Sequence, residues 1–205
     1  MAIKVKICGL KTRDAVEATQ GADYIGFVFF PPSPRNISPK QATELSKYSN
    51  ALKVAVTVNA SDALLEEIIA ELNPDYLQLH GDENIEAIAE IKAKFKKPII
   101  KAFKIRDAKD LEDIEYYQEL ADILLFDAKT DSGEHGGTGK SFDWNLLADK
   151  NFARPFFISG GINQNNFADA LGISGTNMLD LSSSLESSLG VKDPIMIKEF
   201  LAKIK

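Results

Sequence analysis

Along this chain short apolar, β-rich runs alternate with amphipathic runs whose apolar positions recur at a helical period of about 3.6. In Ile3–Cys8 the odd positions Ile3, Val5 and Ile7 are apolar, while Lys4, Lys6 and Cys8 fall on the opposite face of a strand. Thr12 is placed to cap a helix reaching about Gln20, and Tyr24–Phe30 is the next β-rich run. Pro31-Pro32-Ser33-Pro34 then forbids regular structure. Ser38-Pro39 opens a helix with a capping serine and a proline at the first helical position. Leu52–Val58 reads as a strand, and Ser61 caps a helix in which Leu64, Leu65, Ile68, Ile69 and Leu72 recur at helical spacing.

The alternation continues to the end of the chain. Tyr76–His80 is followed by a helix over Glu83–Phe95, and Pro98–Phe103 by one over Ala108–Leu120. Ile123–Asp127 leads into a glycine-rich loop at Ser132–Gly139 and a short helix near Phe142–Ala148. Phe156–Ser159 pairs with a helix over Gln164–Leu171, and Asn177–Leu181 with Pro194–Ile204. Strict βα alternation implies parallel strands joined by right-handed crossovers. Eight such units favour a closed (β/α)8 TIM barrel, a single domain over residues 1–205. An open doubly wound sheet is the other arrangement this alternation permits.

Composition narrows the class of function. A length of 205 residues suits one core, and 44% hydrophobic with 26% charged residues is not the composition of a disordered chain. The net charge is −6 and no basic run occurs, which argues against nucleic acid as partner. The single cysteine excludes an internal disulfide. No signal pattern precedes the first strand, and no apolar run approaches the ~18 residues of a membrane span. A cytoplasmic protein with no membrane partner is expected, and the charge leans towards a monomer.

In a barrel, chemistry gathers at the C-terminal ends of the strands. The first strand ends in Cys8-Gly9, where the thiol is either a small buried hydrophobe or a reactive group. The fourth ends in Gln78-Leu79-His80-Gly81, with Gln78 and His80 on one face, and the sixth in Asp127. The seventh ends in Ser159-Gly160-Gly161; the eighth carries Asp180 and then Ser182-Ser183-Ser184. A barrel needs none of these groups for stability, and their common rim points to a site. Gly160 and Gly161 let backbone N–H groups approach a ligand, with Asn163 placed to start a helix. Together with Ser182 and Ser183 they form a candidate phosphate site, the other reading being two ordinary turns. Arg35, on the proline-stiffened loop, suits a carboxylate held in bidentate geometry, or is a solvated surface arginine. Gly136-Gly137-Thr138-Gly139-Lys140 lacks the first glycine of a nucleotide loop, because position 134 is Glu, and reads as a lid. His80 and His135 lack supporting ligands, so no metal is expected.

Several stretches together resemble the phosphoribosylanthranilate isomerase family, (β/α)8 barrels of tryptophan biosynthesis. They are Lys6-Ile7-Cys8-Gly9, Gly26-Phe27-Val28-Phe29 with Ser33-Pro34-Arg35, and Gln78-Leu79-His80-Gly81-Asp82-Glu83. Leu125-Phe126-Asp127, Gly136-Gly137-Thr138-Gly139 with Phe142-Asp143-Trp144, and Ser159-Gly160-Gly161 complete the set, in the family's order. The resemblance implies an Amadori rearrangement of the ribosylamine of anthranilate to an open-chain 1-deoxyribulose phosphate. Cys8 would be the base that takes the C2 proton, and Asp127 the acid that protonates the ring oxygen. Arg35 would hold the anthranilate carboxylate, and Gly160, Gly161, Ser182 and Ser183 the phosphate. Lys6, Gln78, His80, Gly137 and Asp180 would complete the pocket. No cofactor is implied, because the substrate's own nitrogen is the electron sink. Lys6 is a candidate for the charge that favours thiolate, or for neutralising Asp180. Ser184 and Leu189 stand where the family usually has glycine and proline, which puts phosphate affinity in question. The alternatives are another phosphosugar barrel, such as an epimerase or the histidine-pathway isomerase, and a non-catalytic phosphosugar-binding barrel.

Overall fold

Eight parallel strands close on themselves in sequence order, the first pairing with both the second and the eighth. The computed structural model describes residues 2–129 and 141–204, so the whole glycine-rich loop at Ser132–Gly139, with Gly137 and the lid expected there, lies outside the described residues. The barrel strands are β1 Lys4–Cys8, β2 Tyr24–Phe29, β3 Leu52–Thr57, β4 Tyr76–Leu79, β5 Ile99–Ile105, β6 Ile123–Ala128, β7 Phe156–Ile158 and β8 Met178–Leu181. The helices that follow them are α1 Arg13–Glu17, α2 Pro39–Ser46, α3 Asp62–Leu72, α4 Ile85–Phe95, α5 Ile114–Tyr117, α6 Asn145–Ala148, α7 Phe167–Ser174 and α8 Pro194–Ile204. Among the described residues no helix is long and apolar enough to cross a membrane.

The period-two pattern sorts side chains between two cores. Odd positions of β1 (Val5, Ile7) and their counterparts Ile25, Phe27, Leu77, Leu79 and Phe126 pack outward beneath the helices. Even positions of β1 and the matching residues of the other strands face the barrel interior, where Tyr24, Val54, Ile100, Leu125, Phe157 and Met178 cluster. The caps read from sequence operate: Ser38 accepts from the Gln41 N–H within a capping box, and Ser61 accepts from the Leu64 N–H.

Three local departures have identifiable causes. The helix expected over Ala108–Leu120 is a 3-10 turn at Ala108–Leu111 followed by the one-turn α5. Asp110 turns its carboxylate back to the N–H groups of Arg106 and Asp107, which competes with helix propagation. The helix after β7 starts at Phe167 rather than near Asn163. The Asn166 side chain accepts from the Asn163 N–H, and both asparagine amides donate to the Gly161 carbonyl, holding the segment as a turn. Between β8 and α8 the chain forms a small antiparallel hairpin, β9 Glu186–Ser188 and β10 Val191–Lys192, turning through Gly190 at φ 75°.

Candidate active site

The alternation of β1 carries Lys6 and Cys8 into the barrel, and the thiol sits at the C-terminal mouth. Cys8 lies opposite Gly26 on β2, and a Cβ on Gly26 would stand 2.9 Å from Cys8 Sγ. The absence of a side chain there makes the space for the thiol. Gly9, at φ 84°, has a different neighbour: a Cβ would meet Arg35 Cδ at 2.5 Å. Its glycine therefore clears the way for the arginine.

Lys6 is fully buried, and its ammonium lies 2.9 Å from Asp180 Oδ1 on the adjacent β8. Ser159 Oγ is 3.4 Å from the other Asp180 oxygen. Burial depresses the Lys6 ammonium, but Asp180 and then Cys8 outweigh it, so its titration moves up. Burial pushes the Cys8 thiol up, with Lys6 opposing, Asp180 reinforcing and Lys192 opposing. Asp180 is likewise raised by burial, against Lys6, and it senses Asp127 and His80 on its other side. Of the two roles weighed for Lys6, the geometry shows the pairing with Asp180.

Asp127 ends the interior face of β6. Its Oδ2 is 3.3 Å from His80 Nε2, and its Oδ1 accepts from the Ala128 N–H at 2.9 Å. His80 Nδ1 is in turn 2.8 Å from the Gln78 amide nitrogen, while Gln78 Oε1 is buried without a partner among the described residues. A Cβ on Gly160 would lie 2.5 Å from the Ala128 nitrogen and 2.9 Å from Asp127 Oδ1, so only glycine lets the β7 loop lie against this carboxylate. The loop bearing His80 is braced from outside the barrel. Lys101 on β5 donates to the Gly81 carbonyl at 2.7 Å and to Glu83 at 2.8 Å, and Glu83 accepts from the Asn59 N–H at 2.9 Å.

Arg35 is only 5% exposed and already holds a carboxylate of its own chain. Its Nε and Nη2 donate to the two oxygens of Glu186 at 2.7 and 2.8 Å. Glu186 also pairs with Lys192 and accepts from the Gly190 N–H at 2.9 Å. Burial raises the Glu186 carboxyl, but Arg35 and Lys192 overwhelm that effect and bring it down to about 2. The surface-arginine reading of Arg35 is therefore set aside. Neither Glu186 nor Lys192 stood out in the sequence; the available signal was an acid and a base flanking Gly190 just beyond the serine run.

The candidate phosphate loops are adjacent, after β7 and β8. Gly160 and Gly161 both adopt positive φ, 79° and 68°. Among the described residues the N–H groups of Gly160, Gly161, Ser182 and Ser183 have no acceptor. The Ser182 hydroxyl is already engaged, donating to the Cys8 carbonyl at 3.1 Å with Lys192 Nζ 3.4 Å away. What Ser182 offers an anion is its backbone. Ser184 lies in a 3-10 turn, Ser183–Leu185, without positive φ, so a serine there is not strained. Its hydroxyl oxygen is buried without a partner among the described residues. Among the described residues no group of three or more His, Cys, Asp or Glu side chains is arranged to hold a metal ion.

A closed parallel barrel whose interior turns from apolar to ionisable at its C-terminal mouth defines an enzyme of the (β/α)8 class. A family model described as N-(5'phosphoribosyl)anthranilate (PRA) isomerase matches residues 5–203. The N-(5'-phosphoribosyl)anthranilate isomerase of Rhodopseudomonas palustris (strain BisB5) is 47% identical over 207 residues, covering 98% of this chain and 95% of the relative. The crystal structure of the phosphoribosyl anthranilate isomerase from Thermotoga maritima superposes with a TM-score of 0.87 at 34% identity, covering 98% of each chain. A phosphoribosyl anthranilate isomerase solved with reduced 1-(o-carboxyphenylamino)-1-deoxyribulose 5-phosphate gives 0.83 at 31%, again over 98% of each chain. The chain belongs to the phosphoribosylanthranilate isomerase family.

Proposed function

We propose that the protein converts N-(5-phosphoribosyl)anthranilate to 1-(2-carboxyphenylamino)-1-deoxyribulose 5-phosphate, with Asp127 as general acid and Cys8 as general base. Family membership supports the reaction, and one observation carries the residue roles. Asp180 pairs with Lys6 at 2.9 Å on the strand of Cys8, Asp127 lies 3.3 Å from His80, and the field of Asp127 and His80 reaches Asp180. Acid and base are both carried at the C-terminal ends of their strands, β6 and β1.

In this reading Asp127 gives its proton to the furanose ring oxygen. The bond from C1 to that oxygen breaks as the anilino nitrogen forms an iminium with C1. The Cys8 thiolate then takes the proton from C2, and the electron pair moves through C1 to neutralise the nitrogen. The resulting enaminol ketonises by gaining a proton at C1 and losing one from the C2 hydroxyl. The substrate nitrogen accepts the electrons, so the reading calls for no cofactor.

The remaining residues hold and shape. Glu186 occupies one edge of the Arg35 fork and fixes its plane, leaving the Nη1 edge for the anthranilate carboxylate. The N–H groups of Gly160, Gly161, Ser182 and Ser183 receive the phosphate. His80, steadied by Gln78, sets the Asp127 carboxyl. Because burial holds the Cys8 thiol above its ordinary value, the thiolate is the minor form at neutral pH and kcat/KM should rise with pH. The net charge of −6 leans towards a monomer as the acting unit, which light scattering at assay concentration checks. Its substrate is a phosphorylated metabolite, and we place its work in the cytoplasm. The test of the activity is loss of anthranilate fluorescence on adding the protein to freshly formed phosphoribosylanthranilate. No change over the spontaneous rate would overturn the reading.

A further inference from the structure

Two sets of charged groups are linked to Cys8, one through its own strand and one through Ser182, and among the described residues they differ in how completely their charges cancel. On β1 and β8, Lys6 and Asp180 form a one-to-one pair at 2.9 Å, so together they bring no net charge to the thiol. On the hairpin, a single carboxylate, Glu186, is shared by two cations, Arg35 and Lys192. That second set carries one net positive charge, and both Glu186 and Lys192 are almost fully buried. Lys192 reaches towards β1 through Ser182: its Nζ is 3.4 Å from Ser182 Oγ, which donates to the Cys8 carbonyl at 3.1 Å.

We propose that Lys192 is a positioning residue of the reaction, whose ammonium supplies the uncompensated positive charge that favours the Cys8 thiolate. This rests on the reading of Cys8 as the base, and it assigns to the hairpin the work that Lys6 was the first candidate to do. Among the described residues the charged groups acting on the thiol are Lys6 on its own strand, Asp180 from β8 and Lys192 from β10, with Glu186 and Arg35 linked to Lys192 through the shared carboxylate. At the thiol Lys6 and Asp180 oppose one another, while Lys192 favours the thiolate. Burial depresses the Lys192 ammonium, and Glu186 and Cys8 work against that loss. Ionising Cys8 brings the combined set to neutrality, which a low-dielectric site favours.

The chain has one cysteine, so the thiol can be followed without ambiguity. The experiment is a pH titration of thiolate ultraviolet absorbance in substrate-free protein, with Cys8→Ser as blank, and of kcat/KM in parallel. Lys192→Gln should move the thiol titration up by about one pH unit, a roughly tenfold smaller thiolate fraction below it. The basic rise of kcat/KM should move with it, and Lys192→Arg should restore both. An unmoved titration in folded Lys192→Gln, or Lys192→Arg behaving like the glutamine variant, would overturn the proposal. If Lys192→Gln does not fold, Glu186→Gln decides by sign: it adds a second uncompensated charge and must lower the titration, and no shift or a rise overturns the proposal. The thiol readout needs no substrate. Normal turnover in Cys8→Ala would therefore sink the catalytic reading while leaving this test intact.

Discussion

At the N-terminal end of the barrel interior, Tyr24 meets Phe157 and Tyr76 edge to face at ring-centroid distances of 5.2 and 5.8 Å, and Met178 and Ile123 fill the remaining space. Two residues further along β4 and β8 the same inward face carries Gln78 and Asp180, four beyond Ile123 on β6 it carries Asp127, and Cys8 ends the inward face of β1. Burial acts on both ends with different consequences. It pushes the Tyr24 hydroxyl up to about 12, far from any use near neutrality. At the mouth it raises Cys8 and Asp180 against the pull of Lys6, which keeps both responsive to neighbouring charge. Alternation decides which face a residue occupies; its height along the barrel axis decides whether it packs or reacts.

That division can be broken at either end. Asp127→Asn should lower turnover by about 10³-fold while the thermal midpoint stays within a few degrees, as measured by fluorescence assay and calorimetry. Phe157→Ala should do the opposite, destabilising the fold by about 3–5 kcal/mol in urea while the folded fraction keeps its kcat. A change of kcat in that variant beyond the loss of folded protein would show that the two ends are coupled.

The hairpin sharpens the comparison through pH. The Glu186 carboxyl is held at about 2 in the folded protein against an ordinary 4.5. A depressed folded value means that the stabilisation is complete above about 4.5 and is lost as the pH falls towards 2. Urea unfolding across that window should lose about 3 kcal/mol to this group, and Glu186→Gln should flatten that part of the curve. The smallest expected effect is at Arg35. Arg35→Lys keeps the charge but loses the fork, and should raise KM about tenfold with little change in kcat.

The barrel was legible in the sequence because its signal is repeated: short apolar, β-rich runs recur between amphipathic helical ones, and Ser38 and Ser61 mark helix starts by side-chain bonds that local sequence controls. The break in the helix over Ala108–Leu120 was not legible, because it depends on where the Asp110 carboxylate turns. The hairpin escaped because two- and three-residue strands are too short to show a period. Cys8, Asp127 and the donor-rich loops were visible as polar groups at strand ends that a barrel does not need. Glu186 was not, since its partner Arg35 lies 151 residues away and nothing local announces the pairing. Lys6 could not be assigned until the β1–β8 register set it beside Asp180.

The claim that the mouth of this barrel holds a thiol base is tested most directly by Cys8→Ala. Turnover of freshly formed phosphoribosylanthranilate should be followed by anthranilate fluorescence, and the urea midpoint measured on the same preparation. The expected result is a loss of at least about 10²-fold in kcat with the midpoint nearly unchanged. Turnover close to that of the unaltered protein, in a variant that remains folded, would contradict it.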